Sequence, residues 1–278
     1  MNYIIYNPLS FNGKGEKIKD KAIAELNNID DVIEYNFTEL NYDEFADKVK
    51  PNDNVFLVGG DGTIHFFANY YKKKPIDCSI FVYEGGCGND FLKDLNYKNP
   101  LVKVNGYFDE LPTVTVNGET RYFINNVGFG LDGAVSLVSD KKKLKHKKIN
   151  YTFIAIIQLL FKYRRCNAKV IIDGKELNYK KVWLAPTMNG RFYGGGMMIA
   201  PSQKRERGML TLVVVHNRPR IATLLAFTKV FKGTHEGKFT KSLDMIRGHE
   251  IEVIFDKPRP LQIDGETINN VISYKCKK

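Results

Sequence analysis

The sequence predicts an α/β N-terminal domain with a parallel sheet, followed by a mainly antiparallel β-sandwich domain. Two observations lead to this fold class. In the first hundred residues, short apolar runs typical of buried strands alternate with segments typical of helices, which predicts parallel βαβ units. After about residue 100, strand-like runs follow one another and are separated by turn dipeptides, which predicts antiparallel hairpins.

The elements of the first half follow from this alternation in chain order. Strands are predicted at 2–6, 31–35, 54–58 and 79–83, where apolar residues run together, and helices at 16–27, 42–50, 63–71 and 89–95. Helices that connect parallel strands lie on both faces of the sheet. We therefore predict an α/β domain over 1–105.

In the second half, three dipeptides mark tight turns: Asn117-Gly118, Asp173-Gly174 and Asp264-Gly265. The strand-like runs around them are 112–116, 121–125, 169–172, 181–185, 209–215, 250–255 and 261–263. They predict a β-sandwich domain with inserted helices over 106–270. For the tail at 271–278 we expect a return to the first domain.

The composition favours an anionic partner. The chain has 278 residues, with 42 Lys and Arg against 31 Asp and Glu, and a net charge of +11. Such an excess suits a nucleotide, an acidic membrane surface or nucleic acid. Because no RRM, KH, helix-turn-helix or zinc-finger pattern accompanies the lysines, we do not expect nucleic-acid binding.

Other compositional features predict a cytoplasmic protein. The four cysteines form no CxxC pair, which is typical of reduced thiols rather than a disulfide framework. The five histidines show no zinc-binding spacing. No apolar run reaches 18 residues, and the first residues lack the pattern of a signal peptide.

The string Gly-Gly-Asp-Gly-Thr at 59–63 follows a predicted buried strand and precedes a helix. Three glycines in four residues let backbone N–H groups approach phosphate oxygens, and a helix N-terminus adds to the anion site. Thr63 suits the N-cap position. By itself the Asp61 carboxylate would repel phosphate groups, so we expect it at this position only if it holds Mg²⁺ or orients a hydroxyl group. The alternative is a tight turn that uses glycine only for its backbone angles.

These motifs resemble those of the diacylglycerol kinase catalytic family, the lipid kinases that include bacterial diacylglycerol kinases and sphingosine kinases. The resemblance runs from residue 7 to residue 266. Asn-Pro-Leu-Ser at 7–10 is similar to the opening loop of the family, and 59–63 is similar to its central motif. The loop at 86–91, the stretch at 126–134 and Asp-Gly-Glu at 264–266 also resemble family motifs.

The resemblance implies an ATP-dependent kinase that uses Mg²⁺, with ATP bound by the first domain and a lipid by the second. It implies that Glu266 is the general base and that Asp61 is also catalytic. Taken alone, Asp-Gly-Glu could be a hairpin turn with an exposed glutamate. The predicted nucleotide-binding residues are Asn7, Pro8, Ser10, Thr38, Gly59, Gly60, Asp61, Gly62, Thr63, His65, Cys87, Asn89 and Asp90.

Several positions depart from the family pattern. Phe11 stands in place of a loop glycine, Glu84 in place of a usual proline and Cys87 in place of a threonine. Arg207 occupies the place of an aspartate that belongs to a structural Mg²⁺ site in the bacterial relatives. A guanidinium cannot ligate a metal, so we assign no metal-binding residue there.

A basic and apolar segment suggests membrane contact. Residues 141–148 hold six lysines and one histidine, and the almost wholly apolar stretch 149–163 follows. Such a segment could dock a lipid kinase on the anionic inner face of a membrane. The alternative is a buried helix preceded by a solvated basic loop, because the stretch is apolar nearly all round.

Two rival functions stay open. NAD kinases resemble this chain through the Gly-Gly-Asp-Gly-Thr turn and the two-domain plan. The changes at Phe11, Cys87 and Arg207 suit a catalytically weak relative that binds nucleotide and membrane as a regulator. A homodimer through exposed sheet edges is a further expectation.

Overall fold

The computed structural model describes residues 1–26, 31–143 and 151–278, and the chain divides into two compact units, Met1–Leu111 and Pro112–Lys278. The first unit is α/β with a mostly parallel sheet and the second is rich in antiparallel sheet, so the predicted fold class is confirmed. Each unit has its own buried apolar core.

The first unit alternates strands and helices as predicted. Its elements are β1 (Asn2–Tyr6), α1 (Ser10–Gly13), α2 (Gly15–Glu25), β2 (Val32–Asn36), α3 (Tyr42–Lys48), β3 (Asn54–Gly59), α4 (Asp61–Lys73), β4 (Ser79–Glu84), α5 (Asp90–Asp94), β5 (Leu101–Lys103) and α6 (Asn105–Asp109). The sheet order is β2-β1-β3-β4-β5, and β1 to β4 are parallel. The carboxyl ends of these strands therefore share one edge.

The edge strand β5 was not predicted and runs antiparallel to β4. It is only three residues long, and short edge strands give little periodic signal. Helix α6 follows it and buries Phe108 fully. The residues next to the predicted boundary at 105–106 thus belong to the compact unit that ends at Leu111.

The second unit contains the two longest strands of the chain's described residues, β16 and β17, beside several short ones. Its elements are β6 (Thr113–Val116), β7 (Glu119–Tyr122), β8 (Asn126–Phe129), α7 (Leu131–Lys143), α8 (Tyr151–Ile157), a π-helix (Gln158–Lys162), β9 (Cys166–Ile172), β10 (Lys175–Val182), β11 (Thr187–Met188), β12 (Phe192–Tyr193), β13 (Met197–Met198), a 3-10 helix (Arg205–Arg207), β14 (Leu210–Val215), α9 (Arg220–Phe231), β15 (Leu243–Gly248), β16 (Glu250–Ile263) and β17 (Glu266–Lys277). Within the described residues, ten of these strands form one sheet, whose main path is β15-β14-β11-β8-β16-β17-β6-β7, with β9 on β16 and β10 on β9.

The three predicted turn dipeptides join β6 to β7, β9 to β10 and β16 to β17. Both residues of each dipeptide have positive φ, between 47° and 95°. Asn-Gly and Asp-Gly adopt this backbone at low cost, because the glycine lacks a Cβ and short polar side chains tolerate it. The hairpins are therefore where the sequence placed them.

The predicted strands at 250–255 and 261–263 are one strand, β16, that continues through Pro258 and Pro260. The pairing register with β17 shifts between Ile254 and Arg259 and again before Leu261. Such irregularities let a strand accommodate prolines, which have no backbone N–H group to donate to the neighbouring strand. The tail at 271–278 contributes most of its residues to β17, which pairs with β16 and β6 within the second unit instead of returning to the first domain.

Part of the predicted membrane segment, residues 144–150, lies outside the described residues. In the stretch that follows, Ile154, Ala155, Leu159 and Tyr163 are buried, as the buried-helix alternative expects. Among the described helices, none has the length and apolar character needed to cross a bilayer.

Candidate active site

The Gly-Gly-Asp-Gly-Thr turn joins β3 to α4 at the carboxyl end of the parallel sheet. Gly60 is extended, with φ −94° and ψ −176°, and its carbonyl accepts a hydrogen bond from the Ile64 N–H at 3.1 Å. Gly60 is therefore the N-cap of α4, and no described side chain caps this helix. The prediction that Thr63 is the N-cap is wrong, because the helix begins two residues earlier.

Thr63 instead ties the turn to the loop after β1. Its side chain is buried beneath Gly59, where an added Cβ would lie 2.6 Å from the threonine Cβ. Its hydroxyl accepts a hydrogen bond from Asn7 Nδ2 at 2.9 Å. Asn7 also accepts one from the Leu9 N–H through its Oδ1 at 3.0 Å. One asparagine side chain thus holds two loops together.

The loop after β4 packs backbone against backbone on the turn. A Cβ on Gly86 would lie 2.5 Å from the Gly60 Cα, and a Cβ on Gly85 would lie 2.7 Å from the Gly59 nitrogen. Neither contact leaves room for a side chain. The two glycine pairs, 59–60 and 85–86, are therefore needed for the loops to meet.

Asn89 closes this second loop from inside. Its backbone is left-handed, with φ 50°, and its side chain is buried. The amide accepts from the Gly86 N–H at 2.9 Å and donates to the Gly86 carbonyl and to Glu84 Oε1, both at 2.8 Å. Glu84, which replaces a usual proline, also accepts from the Tyr97 hydroxyl. Its carboxylate thereby bridges the loop to the chain beyond α5.

Asp61 connects the glycine turn to the start of α5. Its Oδ2 accepts from the Asp90 N–H at 3.0 Å, and its Oδ1 accepts from the Phe91 N–H at 2.8 Å. A carboxylate is favourable at a helix N-terminus, where backbone N–H groups lack partners. These bonds give Asp61 a structural role as well, and its role toward Mg²⁺ or a substrate hydroxyl stays a prediction.

The loop after β1 has an unusual backbone for its residues. Phe11, Asn12 and Gly13 all have positive φ, of 51°, 59° and 81°. A glycine reaches this region freely, whereas a phenylalanine does so at a cost. Phe11 therefore occupies a position that favours glycine, the residue type of the family pattern. Asn12 Nδ2 donates to Cys87 Sγ at 3.5 Å, which brings this loop to the one after β4.

The remaining predicted nucleotide residues differ in accessibility. Pro8 lies between β1 and α1, Ser10 is the first residue of α1, and the Pro8 carbonyl accepts a hydrogen bond from the Gly15 N–H. Thr38 is exposed after β2, and its hydroxyl donates to Asn36 Oδ1 at 2.8 Å. His65 lies inside α4 and is only 4% exposed, so little of its ring is available to a ligand.

The first unit therefore brings four loops to one sheet edge, as the predicted nucleotide site requires. Gly62 faces open space, with nothing within 4 Å of an added Cβ, and it lies in the first turn of a 13-residue helix. This combination suits an approaching phosphate group, because the helix N-terminus favours negative charge. The described residues thus fit the phosphates of a nucleotide.

In the second unit, Glu266 is the first residue of β17, directly after the Asp264-Gly265 turn. Its Oε2 lies 3.4 Å from Arg121 Nη1, and its side chain is 40% exposed. Arg121 also pairs with Glu119, at 3.0 Å. The hairpin turn expected as the alternative is real, and it presents Glu266 to solvent beside a guanidinium.

Asp264 anchors this turn to the segment before β8. Its two carboxylate oxygens accept hydrogen bonds from the backbone N–H groups of Ile124, Asn125 and Asn126 at 2.6–2.9 Å. Ser136 of α7 donates from its hydroxyl to the Gly265 carbonyl at 3.1 Å. The turn that carries Glu266 is therefore held from two sides.

Arg205 also holds this segment, and Lys278 in turn contacts Arg205. The Arg205 guanidinium is buried and donates to the Ile124 carbonyl at 2.5 Å and to Asn125 Oδ1 at 2.6 Å. Lys278 Nζ donates to the Arg205 carbonyl and to Asn189 Oδ1, at 2.5 Å and 2.7 Å. Each cation meets carbonyl or amide oxygens, as a buried charge requires.

Asp132, in the first turn of α7, is a residue that sequence reasoning missed. Burial raises the pKa of its carboxyl from 3.8 to about 7, although Oδ1 accepts from the Gly133 N–H at 3.1 Å. Its Oδ2 is buried and has no hydrogen-bond partner among the described residues. Gly128, opposite Gln262 in the neighbouring strand pair, leaves the space that this oxygen fills. A carboxyl with such a pKa is a candidate functional group.

From the raised pKa of Asp132 we expect the second unit to lose stability as the pH rises. Because the folded-state pKa exceeds the unfolded one, Asp132 contributes fully below about pH 4, and its contribution is lost as the pH rises through 7. We expect Asp132→Asn to flatten this dependence by up to about 4 kcal/mol in the free energy of unfolding. Denaturant unfolding between pH 4 and 8, followed by the fluorescence of the buried Trp183, measures the effect.

The matched control for this experiment is Glu176→Gln, which changes a half-exposed carboxylate of β10 that pairs with Lys169. Its pH dependence should follow that of the unchanged protein. If Asp132→Asn also retains the unchanged slope, the Asp132 carboxyl is not the group that titrates.

A metal centre is not visible in the side chains that the structure describes. They contain no group of three or more His, Cys, Asp or Glu that could hold a metal ion. Arg207 is exposed, and its guanidinium donates to the Ser202 carbonyl at 3.4 Å. The described residues therefore provide no ready ligand set for Mg²⁺.

Two family profiles match this chain. The diacylglycerol kinase catalytic domain matches residues 2–116, and the YegS C-terminal NAD kinase beta sandwich-like domain matches residues 125–274. Together they span both compact units and the candidate site residues in each.

Individual relatives and structures agree with the profiles. The chain is 26% identical to a diacylglycerol kinase of Mycobacterium tuberculosis, over 82% of this chain and 77% of the relative. It is 26% identical to a protein of Staphylococcus haemolyticus named as a lipid kinase, over 89% and 80%. A crystal structure described as a diacylglycerol kinase from Bacillus anthracis has the same fold, with a TM-score of 0.63 at 17% identity, over 100% of this chain and 93% of that one. The chain therefore belongs to the diacylglycerol kinase catalytic family and is an enzyme of the kinase type.

Proposed function

We propose that this protein is an ATP-dependent lipid kinase that transfers the γ-phosphate to the hydroxyl of diacylglycerol and forms phosphatidic acid. The observation that carries the proposal is the meeting of the glycine loops after β3 and β4, beside the loop after β1, at one edge of the sheet. Membership of the diacylglycerol kinase catalytic family supports the kinase class. The curated relatives named as diacylglycerol or lipid kinases support the substrate class.

In this proposal the first unit binds ATP. The backbone of residues 59–63 and the N-terminus of α4 receive its phosphates, and Gly62 lets them approach because it carries no side chain. Asp61 acts by fixing the start of α5 relative to the turn, through its bonds to Asp90 and Phe91. Mg²⁺ accompanies ATP as the counter-ion of its phosphates.

Glu266 is the general base in this proposal. As the lipid hydroxyl oxygen forms its bond to the γ-phosphorus, the bond from that phosphorus to ADP breaks, and the hydroxyl proton passes to the Glu266 carboxylate. The hairpin anchored by Asp264 orients this carboxylate. Arg121 restrains it from the side, at 3.4 Å.

The partner and location follow from the substrate. Diacylglycerol resides in a bilayer, so the enzyme acts from the cytoplasm at the inner membrane face. The net charge of +11 supports attraction to an anionic surface. At short range, specificity for the lipid substrate then depends on which face of the protein contacts the lipid.

One parallel assay tests the proposal. The protein is incubated with labelled ATP and Mg²⁺ in the presence of diacylglycerol micelles, sphingosine, phosphatidylglycerol or NAD. We expect label in phosphatidic acid. Label in NAD alone would select the NAD kinase alternative, which the NAD kinase-like description of the C-terminal domain motivates. No label in any acceptor would favour a regulator without kinase activity.

A further inference from the structure

Helix α9 exposes an apolar stripe that the chemistry of the candidate site does not use. Its sequence is Arg-Ile-Ala-Thr-Leu-Leu-Ala-Phe-Thr-Lys-Val-Phe, yet Thr223 is its only buried residue. Ile221 and Leu225 are each 69% exposed. They lie four residues apart and therefore share one face of the helix. Exposed apolar side chains that share one face, unlike single ones, are characteristic of an interaction surface.

A third exposed apolar side chain lies on a neighbouring element. The π-helix Gln158–Lys162 contacts α9, and its Phe161 is 74% exposed. Arg220 at the start of α9 donates to the Tyr163 carbonyl at 3.1 Å, which fastens the two elements together. We call Phe161, Ile221 and Leu225 the apolar patch.

The segments that carry the apolar patch are rich in basic residues. The segments 158–165 and 216–241 contain nine Lys or Arg and a single acidic residue, Glu236. That glutamate accepts a hydrogen bond from the Ser202 hydroxyl. Lys162, Lys229 and Lys232 are exposed. Lysines of this kind place charge at the level of lipid headgroups, while their aliphatic stems cover apolar surface.

We propose that the apolar patch and its basic rim dock the protein on an anionic lipid bilayer. Phe161, Ile221 and Leu225 enter the boundary between headgroups and acyl chains, and Lys162, Lys229 and Lys232 contact anionic headgroups. This inference rests on the proposed function, because a lipid kinase needs a surface that meets its substrate in the bilayer.

Charge argues against a second copy of the chain as the occupant. A symmetric dimer would bring this face against itself, so that the two basic rims would meet. Juxtaposed like charges oppose association. An anionic bilayer, in contrast, complements the rim and receives the apolar side chains at the same time.

Flotation with vesicles tests the docking surface. The full chain is mixed with phosphatidylcholine vesicles that contain about 30% phosphatidylglycerol, without ATP or diacylglycerol, so that binding does not depend on kinase activity. We expect Ile221→Ser with Leu225→Ser to lower the partition coefficient by about tenfold or more. Lys229→Gln with Lys232→Gln should lower it and weaken its dependence on salt.

Matched controls come from the same unit. Ile272→Ser changes a half-exposed isoleucine of β17, and Lys175→Gln with Lys180→Gln changes exposed lysines of β10. These variants should bind vesicles like the unchanged protein. Circular dichroism checks that every variant is folded.

The possible outcomes separate the docking surface from the kinase. If the unchanged protein fails to bind anionic vesicles, or the α9 variants bind as it does, the surface is not a membrane-docking site. If the α9 variants convert a dimer into a monomer without changing vesicle binding, the occupant is a second copy. Vesicle binding without phosphatidic acid formation would overturn the kinase proposal and leave the surface in place.

Discussion

Replacing Glu266 with glutamine is expected to lower the rate of phosphoryl transfer by about 10²–10⁴-fold, with little change in ATP affinity. Glutamine keeps the shape of the side chain but cannot accept the proton of the attacking hydroxyl. The predicted ATP-binding residues all belong to the first unit, whereas Glu266 belongs to the second. Steady-state kinetics with diacylglycerol micelles, together with equilibrium ATP binding, measures both quantities.

The matched control is Glu119→Gln. Glu119 also pairs with Arg121, at 3.0 Å, and is 71% exposed, so its loss removes an ion pair from the same guanidinium without touching the proposed base. We expect near-normal turnover and a stability change below about 1 kcal/mol, as for other exposed pairs. A Glu266→Gln enzyme with a near-normal rate would show that the base is another group.

The second large effect is expected at the contact between the glycine loops. In Gly86→Ala, the new Cβ would lie 2.5 Å from the Gly60 Cα and 2.7 Å from Asn89 Oδ1. Because backbone must move to relieve this overlap, we expect a loss of about 1–3 kcal/mol in the stability of the first unit, together with loss of nucleotide binding. Hydrogen exchange of the backbone amides in β3 and β4 measures the stability of the first unit separately from that of the second.

Gly62→Ala is expected to change phosphate binding without disturbing the fold of the first unit. Nothing lies within 4 Å of a Cβ at this position, and alanine favours a helix over glycine by up to about 1 kcal/mol. We expect unchanged or slightly higher stability of the first unit, but an ATP affinity lower by about tenfold or more. Normal affinity in this variant would mean that phosphate does not approach Gly62.

Some features were predictable because they depend on local residue chemistry. Strands β1, β3 and β4 are short apolar runs that end at loops, and they lie where the sequence analysis put them. The Asp264-Gly265 turn follows from the ease with which these two residue types adopt positive φ. The family motifs agree with both family profiles.

Other features depend on partners that are distant in the chain. Asp61 accepts from Phe91, 30 residues away, and Asp264 accepts from Asn125, 139 residues away. No periodicity or spacing in the sequence reports such pairs. The same holds for Asp132, whose raised pKa arises from burial against strands that come together only in the folded second unit.

The sequence by itself determined the alternation of β1 to β4 with helices, the turns of the hairpins and the glycine-rich loop after β3, because backbone preferences act between near neighbours. Only the tertiary structure decided that Thr63 lies beneath Gly59, that Gly60 and Gly86 meet without side chains and that Asp61 binds the start of α5. Burial and hydrogen bonding across the fold depend on which surfaces pack together, and that packing is a property of the whole domain.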